Sequence, residues 1–181
     1  MSRIGKLPIS IPAGVTVEVN GNVVTVKGAK ETLTQEVSKN VTVKIEDNQV
    51  LVVRNDESKD SNAKQGLYRQ LINNMIVGLK DGFTKTLVVK GVGYKLNKQG
   101  NKLVMNLGLS HPVEVVEEAG ITLECPDNST IHVKGANKER VGAVAAKIKA
   151  LRPVEPYHGY GIHYSTEKVI LKAGKSAGKK K

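Results

Sequence analysis

The feature that most constrains this chain is that it is written twice. Gly21-Asn22-Val23-Val24-Thr25-Val26-Lys27-Gly28 resembles Gly100-Asn101-Lys102-Leu103-Val104-Met105-Asn106-Leu107-Gly108, and the closing glycines lie 80 positions apart. The offset persists. Leu33 falls on Val113, Val41-Thr42-Val43 on Ile121-Thr122-Leu123, Asp47-Asn48 on Asp127-Asn128, and Leu51 and Val53 on Ile131 and Val133. Gly66 then matches Gly142 at an offset of 76, so the first copy carries four extra loop residues. A repeat of this length makes each copy one folding unit with a thin core of its own.

Each copy reads strands first and helix last. Val15 to Val19 alternates, Asn20-Gly21-Asn22 turns, and Val23 to Val26 returns, a strong hairpin signal. Val41 to Ile45 and Val50 to Val53 flank Glu46-Asp47-Asn48-Gln49, a second hairpin. Leu67, Leu71, Ile72, Met75, Ile76 and Leu79 recur at helical spacing, with Asp60, Ser61 or Asn62 as the cap and Gly82 just past the end. In the second copy the strand candidates are Lys85 to Leu96, Leu103 to Leu109, Val113 to Val116, Ile121 to Cys125 and Thr130 to Val133. A helix from Lys138 to Leu151 follows, capped by Asn137, stopped by Arg152-Pro153, with Val141, Val144, Ala145 and Ile148 on one face. The expected class is α+β: two tandem copies of a small antiparallel sheet covered by one helix, plus a basic C-terminal extension. The expected boundaries are 1–82, 83–152 and 153–181. Because the helix hides the apolar face of the sheet, polar substitution at Leu71 or Ile148 is expected to unfold its unit.

Composition narrows the function. Aromatics are only 3% with no Trp, so the core must be aliphatic. One cysteine, Cys125, excludes a disulfide framework and a Cys-based zinc site. No apolar run is long enough to span a membrane, so no membrane partner is expected, and Met1 to Lys6 has no apolar signal-like stretch. A reducing, cytoplasmic setting follows as an expectation. The 28 Lys+Arg against 17 Asp+Glu give +11, which suits a polyanion partner. Residues 147–181 hold nine of those cations and two acids, Glu155 and Glu167. Residues 41–62 run the other way, with Glu46, Asp47, Asp56, Glu57 and Asp60 against Lys44, Arg54 and Lys59. A merely solubilising tail is the bland alternative, but three of the five tyrosines (Tyr157, Tyr160, Tyr164) lie inside the basic region.

The catalytic-looking motifs fail on context. Ala173-Gly174-Lys175-Ser176 ends like a P-loop, but the required earlier glycine is Val169 and no helix follows. Gly91-Val92-Gly93-Tyr94 starts like a dinucleotide fingerprint inside what reads as a β run, so a strand glycine pair with close backbone approach is the better reading. His111, His132, His158 and His163 show no i, i+4 pairing and none neighbours Cys125, so neither zinc nor a Cys–His nucleophile is expected. His132 is expected to face solvent on a strand, and Cys125 to be a small, partly buried strand residue. No acid–base pair, metal site or cofactor is expected.

What remains is Arg152-Pro153-Val154-Glu155-Pro156-Tyr157-His158-Gly159-Tyr160-Gly161-Ile162-His163-Tyr164 and the lysine-rich tail. Prolines hold the segment extended and glycines let backbone approach a partner. Tyrosines and histidines offer flat faces to unpaired bases, and lysines pair with phosphates. Nothing there reads base edges, so shape and backbone recognition is expected. An ordinary surface loop is the alternative.

These residues resemble the bacterial L6 (uL6) family of large-subunit ribosomal proteins. The resemblance covers nearly the whole chain: Met1 to Lys6 with Pro8, Val26-Lys27-Gly28, Gly91 to Tyr94, Ser110-His111-Pro112-Val113, Arg152-Pro153, Glu155-Pro156-Tyr157, Gly159, Gly161-Ile162 and the Gly-Lys-rich end. It implies a two-copy α+β fold, binding to 23S rRNA, no enzymatic activity, neighbouring large-subunit proteins as partners, and a seat near the sarcin–ricin loop where translation factors dock. The family's run typically reads Glu-Pro-Tyr-Lys-Gly-Lys-Gly-Ile-Arg-Tyr, whereas here the three basic positions are His158, Tyr160 and His163. Stacking and hydrogen bonding are expected to replace part of the charge there, with Lys168 to Lys181 carrying more of the ionic attraction. The expected rRNA contacts are Arg3, Lys6, Tyr94, Lys95, Arg152, Tyr157, His158, Gly159, Tyr160, Gly161, His163, Tyr164, Lys168, Lys172, Lys175, Lys179 and Lys180. An architectural DNA binder or RNA chaperone would use the same charge without co-sedimenting with ribosomal subunits. A nucleic-acid-processing enzyme would need clustered acids or histidines.

Overall fold

The structure, a computed structural model, describes residues 3–175. It is α+β, and it divides into two units. Unit 1 comprises Met1–Phe83 with Ala136–Lys138, and unit 2 comprises Thr84–Gly135 with Glu139–Lys181. Unit 1 runs β1 (Ile9–Ser10), β2 (Thr16–Asn20), β3 (Val23–Lys27), β4 (Thr32–Glu36), β5 (Val41–Glu46), β6 (Gln49–Arg54) and α1 (Lys59–Lys80). The second half of the chain runs β7 (Phe83–Lys90), β8 (Lys95–Gln99), β9 (Lys102–Asn106), β10 (Val113–Val116), β11 (Ile121–Asp127), β12 (Thr130–Gly135), α2 (Lys138–Leu151) and β13 (Gly161–Tyr164).

The duplication is preserved strand for strand. The strand orders β1-β6-β5 and β2-β3-β4 recur as β7-β12-β11 and β8-β9-β10, so each copy divides its strands between two small sheets. One strand breaks the symmetry: β13 adds to the free side of β7. The β2–β3 hairpin pairs Asn20 with Val23 across a two-residue turn, and β8–β9 pairs Gln99 with Lys102 in the same way. Between β5 and β6, Asp47 and Asn48 both take positive φ (46° and 61°). That is the geometry a two-residue hairpin turn favours, and Asp and Asn tolerate it better than other side chains. At the outer side of unit 1, β1 is bracketed by Pro8 and Pro12, which carry no N–H to offer a further strand.

The core of unit 1 is aliphatic, built from Ile9, Val17, Val24, Val26, Val43, Val50, Val52 and their neighbours, closed by Ile72, Met75 and Ile76 of α1. α1 begins earlier than its apolar spacing predicts. Its cap is Ser58, whose side chain accepts from the Ser61 N–H at 3.1 Å, rather than Asp60, Ser61 or Asn62. The first two turns bury polar groups, Ser61 and Gln65, and the Gln65 amide donates to the Val52 carbonyl at 2.8 Å. Hydrophobic spacing is blind to a stripe that starts this way. Leu67, expected on the core face, is 53% exposed. Leu71 is only half-buried, and the position beside it, Ile72, is fully buried. The sensitive residue in α1 is therefore Ile72. Ile72→Ala is expected to lower unfolding free energy by about 2–5 kcal/mol, and Leu71→Ala by clearly less. Chemical denaturation of the two variants checks this, and equal losses would count against the assignment. In α2 the expected face holds: Val141, Val144, Ala145 and Ile148 are all buried.

Candidate nucleic-acid interface

The chain leaves α2 at Arg152-Pro153, forms a loop, and returns as β13. In register, Gly161 faces Lys90, Ile162 faces Val89, His163 faces Val88 and Tyr164 faces Leu87. Ile162 is fully buried. The loop mouth is closed by the Glu155 N–H donating to the Tyr160 carbonyl at 2.9 Å and the Ile162 N–H donating to the Arg152 carbonyl at 2.8 Å. The Tyr164 N–H reaches the Glu167 carboxylate at 3.3 Å, so the outer side of β13 is occupied by the chain itself. The segment after Pro153, expected to be extended, thus carries a strand of the sheet. Sequence reasoning missed it because four residues with one buried side chain leave no periodic signal.

Gly161 makes this path possible. Its φ is +139°, and a Cβ there would meet the Pro153 carbonyl oxygen and the Val154 Cα at 2.6 Å. The glycine allows both the backbone angle and the close approach.

Three groupings of the expected site residues emerge. Arg152 Nε donates to the Tyr94 hydroxyl at 3.1 Å. Tyr94 belongs to a turn between β7 and β8, not to a continuous β run, and its ring lies over Gly91, where a Cβ would sit 2.5 Å from ring carbons. The close backbone approach expected at this glycine pair is real, but it is to an aromatic ring, at a turn. The second grouping is His158 stacked on Tyr160, centroids 5.4 Å apart and planes 17° from parallel. The Glu155 carboxylate accepts from the His158 N–H (2.9 Å) and lies 2.7 Å from its Nδ1, and these bonds, the backbone one first, hold the Glu155 carboxyl below the usual carboxylate range. The third is Tyr164, whose ring has Lys149 Nζ at 4.8 Å and Lys85 Nζ at 5.7 Å from its centroid. That ring is engaged with cations rather than presented bare to a base.

The remaining expected residues scatter. Tyr157 is exposed, Gly159 is buried, and the His163 Nδ1 is enclosed without a partner among the described residues. Arg3 and Lys6 are exposed in an N-terminal turn of unit 1. Lys168, Lys172 and Lys175 are exposed, while Lys179 and Lys180 lie outside the described residues. The Lys172 N–H donates to the Pro156 carbonyl at 2.7 Å, so the basic end starts alongside the loop. His132 is half-buried, its Nδ1 3.0 Å from the Thr86 hydroxyl, rather than facing solvent alone. Cys125 is partly buried, and burial pushes its thiol pKa up.

Electrostatics sorts the lysines in a way composition does not. In unit 2, Lys98 pairs with Glu117, Lys102 with Glu114, Lys134 with Glu124, Lys147 with Glu118 and Lys149 with Glu167. Among the described residues Lys90, Lys95, Lys168, Lys172 and Lys175 have no such partner. Lys90 and Lys95 bracket the Tyr94 turn, and Lys90 faces Gly161. Net positive charge is thereby left around the β13 loop. Lys90 and Lys85 were not anticipated. The β7–β13 register brings Lys90 to this segment, and the Tyr164 ring brings Lys85.

One pair bears on acid stability. The Lys98 ammonium, at 2.9 Å, and then the Leu123 N–H, at 2.7 Å, hold the Glu117 carboxyl below the usual range. A carboxyl lowered in the folded state stabilises above its unfolded value, about 4.3, and the contribution is lost as pH falls through the folded value. The thermal midpoint is expected to drop as pH falls below about 4.3, and Glu117→Gln is expected to flatten that drop. A calorimetric pH series checks it, and an identical acid profile in the variant would refute the role of the pair.

Comparison with known proteins decides the family. The model described as ribosomal protein L6 matches residues 11–82 and 90–165. The chain belongs to the ribosomal protein L6 family. The large ribosomal subunit protein uL6 of Clostridium kluyveri is 54% identical over 99% of this chain and 100% of its own length. The uL6 proteins of Caldicellulosiruptor saccharolyticus and Listeria monocytogenes are each 51% identical, over 97% of this chain and 97% and 99% of theirs. The L6 family is one of structural ribosomal proteins, not enzymes. Its two matched segments fall on the two copies, and the second extends through β13.

Proposed function

We propose that this L6-family chain is a structural constituent of the large subunit of the cytoplasmic ribosome, held on 23S rRNA by the β13 face of unit 2. One observation carries the reading. Glu114, Glu117, Glu118 and Glu124 are taken up by Lys102, Lys98, Lys147 and Lys134, while Lys90, Lys95, Lys168, Lys172 and Lys175 are in no ion pair among the described residues, around a loop bearing Arg152, Tyr157, His158 and Tyr160. A loop flanked by unneutralised ammonium groups suits a phosphate backbone, with exposed rings for splayed bases. Arg3, Lys6, Tyr94, Gly159, Gly161, His163, Tyr164, Lys179 and Lys180 complete the proposed contact set. The names of the relatives support the subunit. The finer part of the proposal, a seat near the sarcin–ricin loop beside docking translation factors and among neighbouring subunit proteins, rests on the family resemblance.

The test is a footprint of the full chain on deproteinised 23S rRNA, with affinity measured across salt. About 6–10 phosphate contacts predict a loss of roughly 10³–10⁵ in affinity between 50 and 200 mM salt. A flat salt response, equal affinity for duplex DNA, or failure to co-sediment with large subunits would overturn the proposal. Protection away from the sarcin–ricin loop would overturn only its finer part.

A further inference from the structure

We infer that the loop from Glu155 to Tyr160 is a preformed seat for one unpaired nucleobase, which stacks on the His158–Tyr160 pair. The inference rests on the rRNA-binding reading above and deepens it. Ring pairs on a protein surface are ordinarily mobile, but here the orientation is fixed before any ligand arrives. The two rings lie 5.4 Å apart and 17° from parallel. Glu155 grips His158 by both its backbone N–H and its ring Nδ1, at 2.9 and 2.7 Å. The Glu155 N–H closes the loop onto the Tyr160 carbonyl at 2.9 Å. Beneath it, Gly159 is buried against Leu171 and Val169, and the Lys172 N–H ties down the Pro156 carbonyl at 2.7 Å.

A seat held this way has already lost the side-chain freedom that a stacking contact would otherwise cost. The His158 side chain nevertheless remains 69% exposed, so the stack ends in solvent rather than in another side chain. An aromatic stack ending in water suits a third flat ring. Bases inside a duplex keep both faces covered, so the ring must be unpaired. Lys172, in no ion pair among the described residues and tied beside Pro156, supplies an ammonium for the phosphate of the same strand. Recognition is by π-face and not by base edge, so the seat accepts any base the RNA fold delivers there.

The decisive comparison is ring against charge at one position. With full-length protein and full-length 23S rRNA, base reactivity at unpaired positions and affinity across salt are measured for His158→Ala, His158→Phe and His158→Lys. His158→Ala is expected to weaken binding about tenfold without changing the salt slope, and to re-expose one unpaired base. His158→Phe, which restores a ring, is expected to recover the protection. His158→Lys is expected to leave that base exposed while steepening the salt slope by about one phosphate contact. Tyr160→Leu, which removes the lower ring, should behave like His158→Ala, with thermal unfolding confirming that each variant is folded. The inference is overturned if His158→Ala binds and protects like the parent, or if His158→Lys restores the footprint as fully as His158→Phe. If the parent protein itself shows no salt-dependent binding to 23S rRNA, the larger reading fails first and separately.

Discussion

Ending the chain after Tyr160 is expected to abolish the cooperative fold of unit 2, whereas ending it after Glu167 is expected to leave that fold intact. The difference is β13. The shorter chain loses the four-residue pairing with β7 and the fully buried Ile162. Removing a buried isoleucine side chain alone costs about 2–5 kcal/mol. Stripping β7 also leaves backbone groups such as the Thr86 carbonyl, which accepts from the Ser165 N–H at 3.0 Å, without their partners. Against a total stability of about 5–15 kcal/mol for a small domain, that sum is fatal or nearly so. The longer chain keeps β13, the Glu167 carboxylate on the Tyr164 N–H, and the Lys149–Glu167 pair at 2.6 Å. It loses Lys168, Lys172, Lys175 and Lys179 to Lys181, and its salt slope on RNA should fall by about 0.7–0.9 for each phosphate contact removed. Circular dichroism melts of both truncations, beside salt titrations of the longer one, read the outcome. A full-amplitude cooperative melt in the chain ending at Tyr160 would show that β13 is decoration. The consequence for interface mapping is practical: removing everything from residue 153 confounds unfolding with loss of contact, so the footprint needs truncation after β13.

The second large effect belongs to Gly161→Ala. The methyl group would enter backbone atoms, the Pro153 oxygen and Val154 Cα at 2.6 Å, which have no rotamer to yield. The residue would also be held at φ +139°, a conformation L-residues rarely adopt. Strain of this kind costs about 1–3 kcal/mol and forced overpacking a further 1–3. A loss of roughly 2–6 kcal/mol follows, or about ten degrees and upward in the melting temperature of a domain this size. Hydrogen exchange should locate the damage at β13 and β7. RNA affinity should fall with it, because the loop that carries His158 and Tyr160 is anchored at that glycine. A variant as stable as the parent would mean that the return path has room to shift.

The repeat was open to reading because its markers are local: alternation, two-residue turns, and a glycine at the end of each motif. The limits of α2 were open for the same reason, since Pro153 stops it and its apolar face has no polar interruption. The start of α1 was hidden because Ser61 and Gln65 occupy the face that should announce it. β13 was hidden because its partner lies some 70 residues back, with only Ile162 as a clue. The lysines of the site follow the same logic. Their number was plain, but which of them are neutralised depends on neighbours brought together by register, as with Lys98 and Glu117, 19 positions apart. Tyr164 was read as a free stacking face, and the fold instead sets Lys149 and Lys85 beside it.

The two copies have finished their sheets differently. Unit 1 brackets β1 with Pro8 and Pro12, while unit 2 lays β13 along β7 and spends that strand's outward N–H groups on Arg152 and Glu167. Both devices deny a stray polypeptide a template for continued pairing, the first step toward aggregates. A newly made chain with a thin, aliphatic interior would otherwise be exposed to that fate until it is assembled with its partners. Lysine repulsion keeps such molecules apart at a distance, and at contact the proline bracket and the self-sealed strand take over.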